Sequence, residues 1–179
     1  ASIYVMRPMI TYRAIENGAS SFEIGLIASI YALLPLIVAV PMGRWVGRLG
    51  EIPLLVAGSV SFIALGISFA FLNDVIAIAV ATAVAGVAHL ANVAASQAMV
   101  ASRSPVHLQD HNFGYFSFST SLGHTVGPVV GGFIAGSSGV LPKSSTSAFV
   151  FASIVAALSL LPFLFFKGLK QVKSKEERE

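Results

Sequence analysis

The chain has 179 residues, of which 55% are apolar and only 11% charged, and its mean hydropathy is +0.82. Soluble domains carry about a quarter charged residues, so the composition excludes an ordinary water-soluble domain and points to a lipid-embedded one. A net charge of +3 with a pI near 9.5 invites nucleic-acid binding, but the basic residues fall where membrane topology would put them, and nucleic acid is not expected as a partner. The absence of cysteine excludes disulfides and thiolate metal sites.

The first segment, about residues 1–16, is apolar and aromatic apart from Arg7 and Arg13 and reads as the later part of a membrane helix. The chain opens on Ala, so the start of that helix is expected to lie upstream, and the opening lacks the pattern of a signal peptide. Five runs free of Asp, Glu, Lys and Arg follow, at 24–43, 52–73, 75–102, 111–142 and 144–166. Each reaches the roughly 20 residues needed to span hydrocarbon. The expected helices are therefore about 1–16, 22–43, 52–72, 75–98, 113–136 and 147–166, an all-α, polytopic unit in the lipid bilayer. Residues 167–179 turn abruptly polar and read as a cytoplasmic linker or tail.

Positive charge sets the orientation. Arg44, Arg48, Arg103, Lys167, Lys170, Lys173, Lys175 and Arg178 share one set of loops, whereas Glu16, Glu23 and Asp74 lie on the other. By the positive-inside rule both ends face the cytoplasm, in a bacterial inner or plasma membrane.

The fifth span carries the most informative pattern. Gly123, Gly127 and Gly131 recur every four residues on one helix face, which lets a neighbouring backbone approach closely. Pro128 cannot donate to the helical ladder and crowds the carbonyl of His124, so a bend is expected there.

Polar residues within spans mark a pathway, because burying them in lipid is costly. Helix one should end near Asn17, which places Arg7 roughly 15 Å deeper, close to the midplane. His124 lies at similar depth in the fifth span. His89, Asn92 and Ser96 fall at i, i+3 and i+7 of the fourth. These five are the transport-pathway candidates, expected to line one aqueous cavity. The competing reading is that the histidines and Asn92 only hydrogen-bond neighbouring helices.

Enzyme chemistry has weaker claims. Gly66-Ile67-Ser68 resembles the GxS of intramembrane serine proteases, but no second element accompanies it. His107 and His111 with Asp110 could share a helical face, yet they sit in a cytoplasmic loop where polar residues are expected. No P-loop is present. No catalytic residue, metal or cofactor is expected.

The patterns together resemble the major facilitator superfamily. Gly123-x3-Gly127-Pro128-x2-Gly131-Gly132 is similar to the helix-five motif of its antiporters, and Asn112-Phe113-Gly114-Tyr115 is similar to the start of that helix. Gly43-Arg44-x3-Arg48-x-Gly50, between helices two and three, resembles the family's loop motif G-x-x-x-D-R-x-G-R/K, with Gly47 at the Asp position and Glu51 at the last basic one. Thr82 stands four residues before Gly86, where the drug/proton antiporters often have Arg.

The resemblance implies the N-terminal six-helix half of a transporter whose C-terminal half lies beyond this chain. It also implies a small-molecule substrate, alternating access, efflux by antiport, and a gating role for Gly43, Arg44, Arg48 and Gly50. The alternative is a non-catalytic six-helix membrane assembly or scaffold.

Overall fold

The computed structural model describes residues 2–136 and 145–161. Six α-helices make up the described fold: α1 (Ser2–Glu16), α2 (Ser21–Leu49), α3 (Glu51–Phe71), α4 (Val75–Arg103), α5 (Gln109–Ile134) and α6 (Ser145–Leu158). A helix is what an apolar chain must form in lipid, because each backbone donor and acceptor is then satisfied within its own segment. Three of them, α2, α3 and α4, are long and apolar enough to cross a membrane. The linker assigned to residues 167–179 and the end of the sixth helix beyond residue 161 lie outside the described residues.

The helix starts follow capping chemistry. Ser20 accepts from the Glu23 backbone N–H while the Glu23 carboxylate accepts from the Ser20 backbone N–H, a reciprocal box that opens α2. Asp74 caps α4 by accepting from Ala77 N at 2.8 Å. Between α2 and α3 the only residue is Gly50, at φ +83°, a left-handed conformation that glycine adopts without steric cost.

Several helices outrun their charge-free cores. α2 continues to Leu49 and α4 to Arg103, and α5 begins at Gln109 after a 3-10 turn at Val106–Leu108. Gly43, Arg44 and Arg48, expected in a loop, occupy the last two turns of α2, and Asn112 to Tyr115 lie inside α5. A charged side chain marks where the hydrocarbon ends; the backbone ladder has no reason to stop there.

Packing runs in a definite order. α4 lies between α2 and α3, α3 between α4 and α6, and α1 between α6 and α5, with lighter contacts from α1 to α4 closing the bundle. Its interior is built on Met6, Met9, Phe69, Ile78 and Phe149. By contrast α2 buries only Ile27, Tyr31 and Met42, and α5 buries only Gly127 and Gly131. Leu36 and Ile37 of α2 and Phe118 and Phe133 of α5 are left exposed. These two helices thus present apolar faces to whatever surrounds the bundle.

Where α1 and α3 finish and α6 begins, one arginine joins three helices. Arg13 Nε donates to Leu72 O at 2.9 Å and its terminal nitrogens donate to Ala70 O, Asn73 Oδ1 and Glu16 Oε2. Glu16 in turn accepts from the backbone N–H and hydroxyl of Ser145, the first residue of α6. Helix ends leave carbonyls at one terminus and N–H groups at the other without partners. Here a cation serves the end of α3 and an anion the start of α6.

Candidate functional site

The middle of the bundle holds a contiguous group of cationic and aromatic side chains from four helices. α1 supplies Tyr4 and Arg7, α2 supplies Tyr31, α4 supplies His89 and α5 supplies His124. Arg7, Thr11 and Ile15 form an exposed stripe along α1, whose other residues are buried or half-buried up to Glu16 at its end. The Arg7 guanidinium carbon sits 4.5 Å from the centroid of the Tyr31 ring, within the range of cation–π attraction. Tyr31 and His89 rings stack with centroids 6.2 Å apart, His89 and Tyr4 meet edge-on at 6.0 Å, and Tyr4 and His124 lie 3.8 Å apart. His124 Nδ1 lies 3.0 Å from Thr120 O. A carbonyl can only accept, so Nδ1 is the donor in this contact.

Both tyrosines are held by the same local device. Pro8 follows Tyr4 by four residues and Pro35 follows Tyr31 by four, so neither tyrosine carbonyl receives its helical N–H. Across from each lies a glycine. A Cβ on Gly127 would come within 2.7 Å of Tyr4 Cβ and 2.9 Å of its carbonyl carbon, and one on Gly86 would collide with Tyr31 O and meet the Pro35 ring at 3.0 Å. Glycine therefore lets α5 close on α1, and α4 on α2, over the two released carbonyls. Tyr4 and Tyr31 escaped the sequence reading, although a tyrosine four residues before a proline in each of two spans was the available signal.

The helix-five motif divides accordingly. Gly127 and Gly131 are buried against Tyr4 and Val5 of α1, Gly123 is half-buried, and Gly132 has open space where a side chain would go. Pro128 is exposed within an α5 that continues on both sides of it.

The expected single cavity is two environments. His89, Asn92 and Ser96 line an open cleft of about 420 Å³ at the N-terminal end of α1, together with Ser59 of α3 and Thr120 of α5. Arg7 and His124 are not on that wall; they face outward, on the exposed side of α1 and α5. Tyr4 separates the two, lining the cleft while its ring packs on both histidines. Asn92 donates to Ala88 O at 3.1 Å, a bond within its own helix, and its side chain occupies the notch at Gly58.

The other residues singled out in the sequence lie elsewhere in the bundle. Arg44 and Arg48 are exposed, and Glu51, at the motif's last basic position, accepts from the Ser102 hydroxyl at 2.8 Å, tying the start of α3 to the end of α4. Thr82 is buried and donates to Ile78 O within its helix. Ser68 likewise donates to Ala64 O. His111 packs edge-on against Tyr115, and among the described residues no three His, Asp or Glu side chains converge as metal ligands.

Comparison with known proteins agrees with this architecture. The family model for the Major Facilitator Superfamily matches residues 1–179. The chain is 30% identical over 159 residues to multidrug resistance protein 2 of Bacillus subtilis, covering 89% of this chain and 38% of that protein. It is 28% identical over 146 residues to multidrug resistance protein 1 of the same species, covering 82% and 37%. It is 26% identical over 149 residues to the quinolone resistance protein NorA of Staphylococcus aureus, covering 83% and 36%. The chain spans little more than a third of the length of these curated relatives. A family profile matched from the first residue to the last, on an all-helical bundle with membrane-crossing apolar helices, leaves one assignment: the chain belongs to the Major Facilitator Superfamily and is an integral membrane protein.

Proposed function

We propose that this chain is the N-terminal six-helix half of a secondary transporter that exports small molecules by antiport, through alternating access. The observation that carries the reading is the mid-bundle group of Arg7, Tyr31, His89, Tyr4 and His124. An arginine exposed halfway along a membrane helix is costly in lipid and must face water, substrate or protein. The relatives named for multidrug and quinolone resistance support efflux as the direction. The unburied apolar faces of α2 and α5 fit a second six-helix half closing over the Arg7 side, so that substrate would be handled between the halves. A scaffold would have no use for a cation held there.

In proteoliposomes of the full-length protein, Arg7→Gln should lower substrate exchange roughly tenfold while membrane insertion and yield stay normal. Normal exchange by the variant would remove Arg7 from the pathway.

The proposed orientation puts both ends, and the turn between α4 and α5, in the cytoplasm of a bacterial cell. A cysteine at Val106, a position 86% exposed in that turn, should react only with reagents delivered from the cytoplasmic side. A cysteine at Ser138, which lies outside the described residues, should react only from outside. This chain has no cysteine, and any in the rest of the full-length protein is replaced first. The reverse pattern would invert the topology and take the Arg44 and Arg48 segment away from the cytoplasm.

A further inference from the structure

We infer that the Tyr31 hydroxyl is a conformational switch: it is unpaired in the arrangement described here and bonds to His89 in the other arrangement of the transport cycle. The consequence for transport rests on the transporter reading, whereas the unpaired hydroxyl does not. Tyr31 is 9% exposed, and its hydroxyl oxygen is the one buried side-chain polar atom among the described residues with no hydrogen-bond partner. The oxygen is enclosed by this chain's own atoms, so neither water nor any further part of a longer protein reaches it unless the helices move. A buried hydroxyl in that condition is rare, because it has given up water without a replacement.

The backbone at the same residue is built to move. Pro35 has no N–H to give the Tyr31 carbonyl, so α2 carries at one position a carbonyl without its helical donor and a hydroxyl without any partner. Helices bend at such points. Across the contact lies Gly86 of α4, where a Cβ would collide with Tyr31 O and meet the Pro35 ring at 3.0 Å. With no side chain there to interlock, α2 can bend or slide on α4 at Tyr31.

The partner for the hydroxyl is already beside it. The His89 ring lies against that of Tyr31, with centroids 6.2 Å apart and planes 30° apart, and a neutral imidazole keeps one nitrogen as an acceptor. Stacked rings make no hydrogen bond to each other, but a shift of α2 along α4 brings the hydroxyl to the imidazole edge. In the present arrangement the Arg7 guanidinium, 4.5 Å from the ring centroid, holds Tyr31 by its face instead. One arrangement is thus held by ring contacts and the other gains a hydrogen bond, which makes the contact a two-state element.

Tyr31→Phe keeps the ring that Arg7 covers and removes only the oxygen. A tyrosine with a bonded hydroxyl loses stability on this change, whereas here an unpaired group is lost, so the full-length protein should melt about 2 °C higher. Switching is read at a cysteine placed at Thr11, on the exposed stripe of α1 with Arg7, in full-length protein whose other cysteines have been replaced. Its rate of reaction with a membrane-impermeant maleimide is measured in right-side-out and inside-out vesicles. With Tyr31 in place the reporter should react from both sides. Tyr31→Phe should lower the rate from one side roughly tenfold without lowering the other, because the arrangement that needs the bond to His89 is depopulated. His89→Phe should lower the same rate, the double variant should lower it no further, and His89→Gln, which keeps an acceptor, should restore part of it.

A lower melting temperature, loss of folded protein, or unchanged rates from both sides in Tyr31→Phe would overturn the switch. Effects of the Tyr31 and His89 changes that simply multiply would overturn it too, since His89 would then not be the partner. Reaction of the Thr11 cysteine from a single side with Tyr31 in place would instead overturn alternating access, and the melting temperature of Tyr31→Phe would still decide whether the hydroxyl is unpaired.

Discussion

Replacing Gly127 with leucine should abolish transport by the full-length protein and lower its stability more than leucine at Gly131 or Gly132. Even the first added carbon would stand 2.7 Å from Tyr4 Cβ and 2.9 Å from the Tyr4 carbonyl carbon, closer than real Cβ contacts come. The obstacle is largely backbone, so no rotamer change relieves it and α5 must back away from α1. Overpacking of a tight interface typically costs about 1–3 kcal/mol, and leucine here belongs at or above the top of that range. The displacement also separates Tyr4 from His124, whose rings are 3.8 Å apart. The structure predicts an order among alanine variants. Gly127→Ala should be worst; Gly131→Ala, whose Cβ would meet Val5 at 3.2 Å, should be intermediate; Gly132→Ala, which meets nothing, should be near neutral. Thermal unfolding and substrate exchange of the full-length variants check this directly. Equal effects at the three positions would mean that α5 does not close on α1 through Gly127.

Helix existence was legible in this sequence because lipid leaves an apolar backbone few choices, and charge-free runs therefore read as helices. Helix ends were less legible. Arg44, Arg48 and Arg103 report where hydrocarbon gives way to water; α2 continues past Arg44 to Leu49, whereas Arg103 is itself the last residue of α4. The stripe of Gly123, Gly127 and Gly131 announced a close approach without naming the partner, since spacing along one helix carries no information about which neighbour will fill the groove. Tyr4 and Val5 are that neighbour. The same limit hid Tyr31, which lies in α2, whereas the His89 it stacks on lies in α4. Arg7, His89 and His124 could be picked out one at a time by the cost of a polar group in lipid. That Arg7 and His124 face outward while His89 lines a cleft depended on helix rotation, and a single sequence does not encode rotation in any local pattern.

Arg13 is legible in the sequence only as a charge in the first helix, yet its replacement by methionine is expected to be the most damaging change at this end of the bundle. The side chain is only 13% exposed, and its Nε and Nη2 serve the carbonyls of Leu72 and Ala70, which end α3. Methionine preserves the apolar stem and removes all the donors. Two carbonyls are then left short of partners in a poorly hydrated place, and Glu16 loses the cation that holds it toward Ser145. Hydrogen bonds to charged groups contribute about 1.5–3 kcal/mol each, and because they share one arginine the combined loss should be about 3 kcal/mol rather than their sum. The full-length Arg13→Met protein should melt several degrees lower in detergent, and Arg13→Lys should recover only part of the difference, since an ammonium cannot reach Leu72, Ala70, Asn73 and Glu16 together. Glu16→Gln offers an internal control, because it keeps an acceptor for Ser145 while removing the charge facing Arg13. If Arg13→Met melts with the parent protein, the ends of α1, α3 and α6 are held by apolar packing alone. The polar junction would then be a consequence of the fold rather than one of its causes.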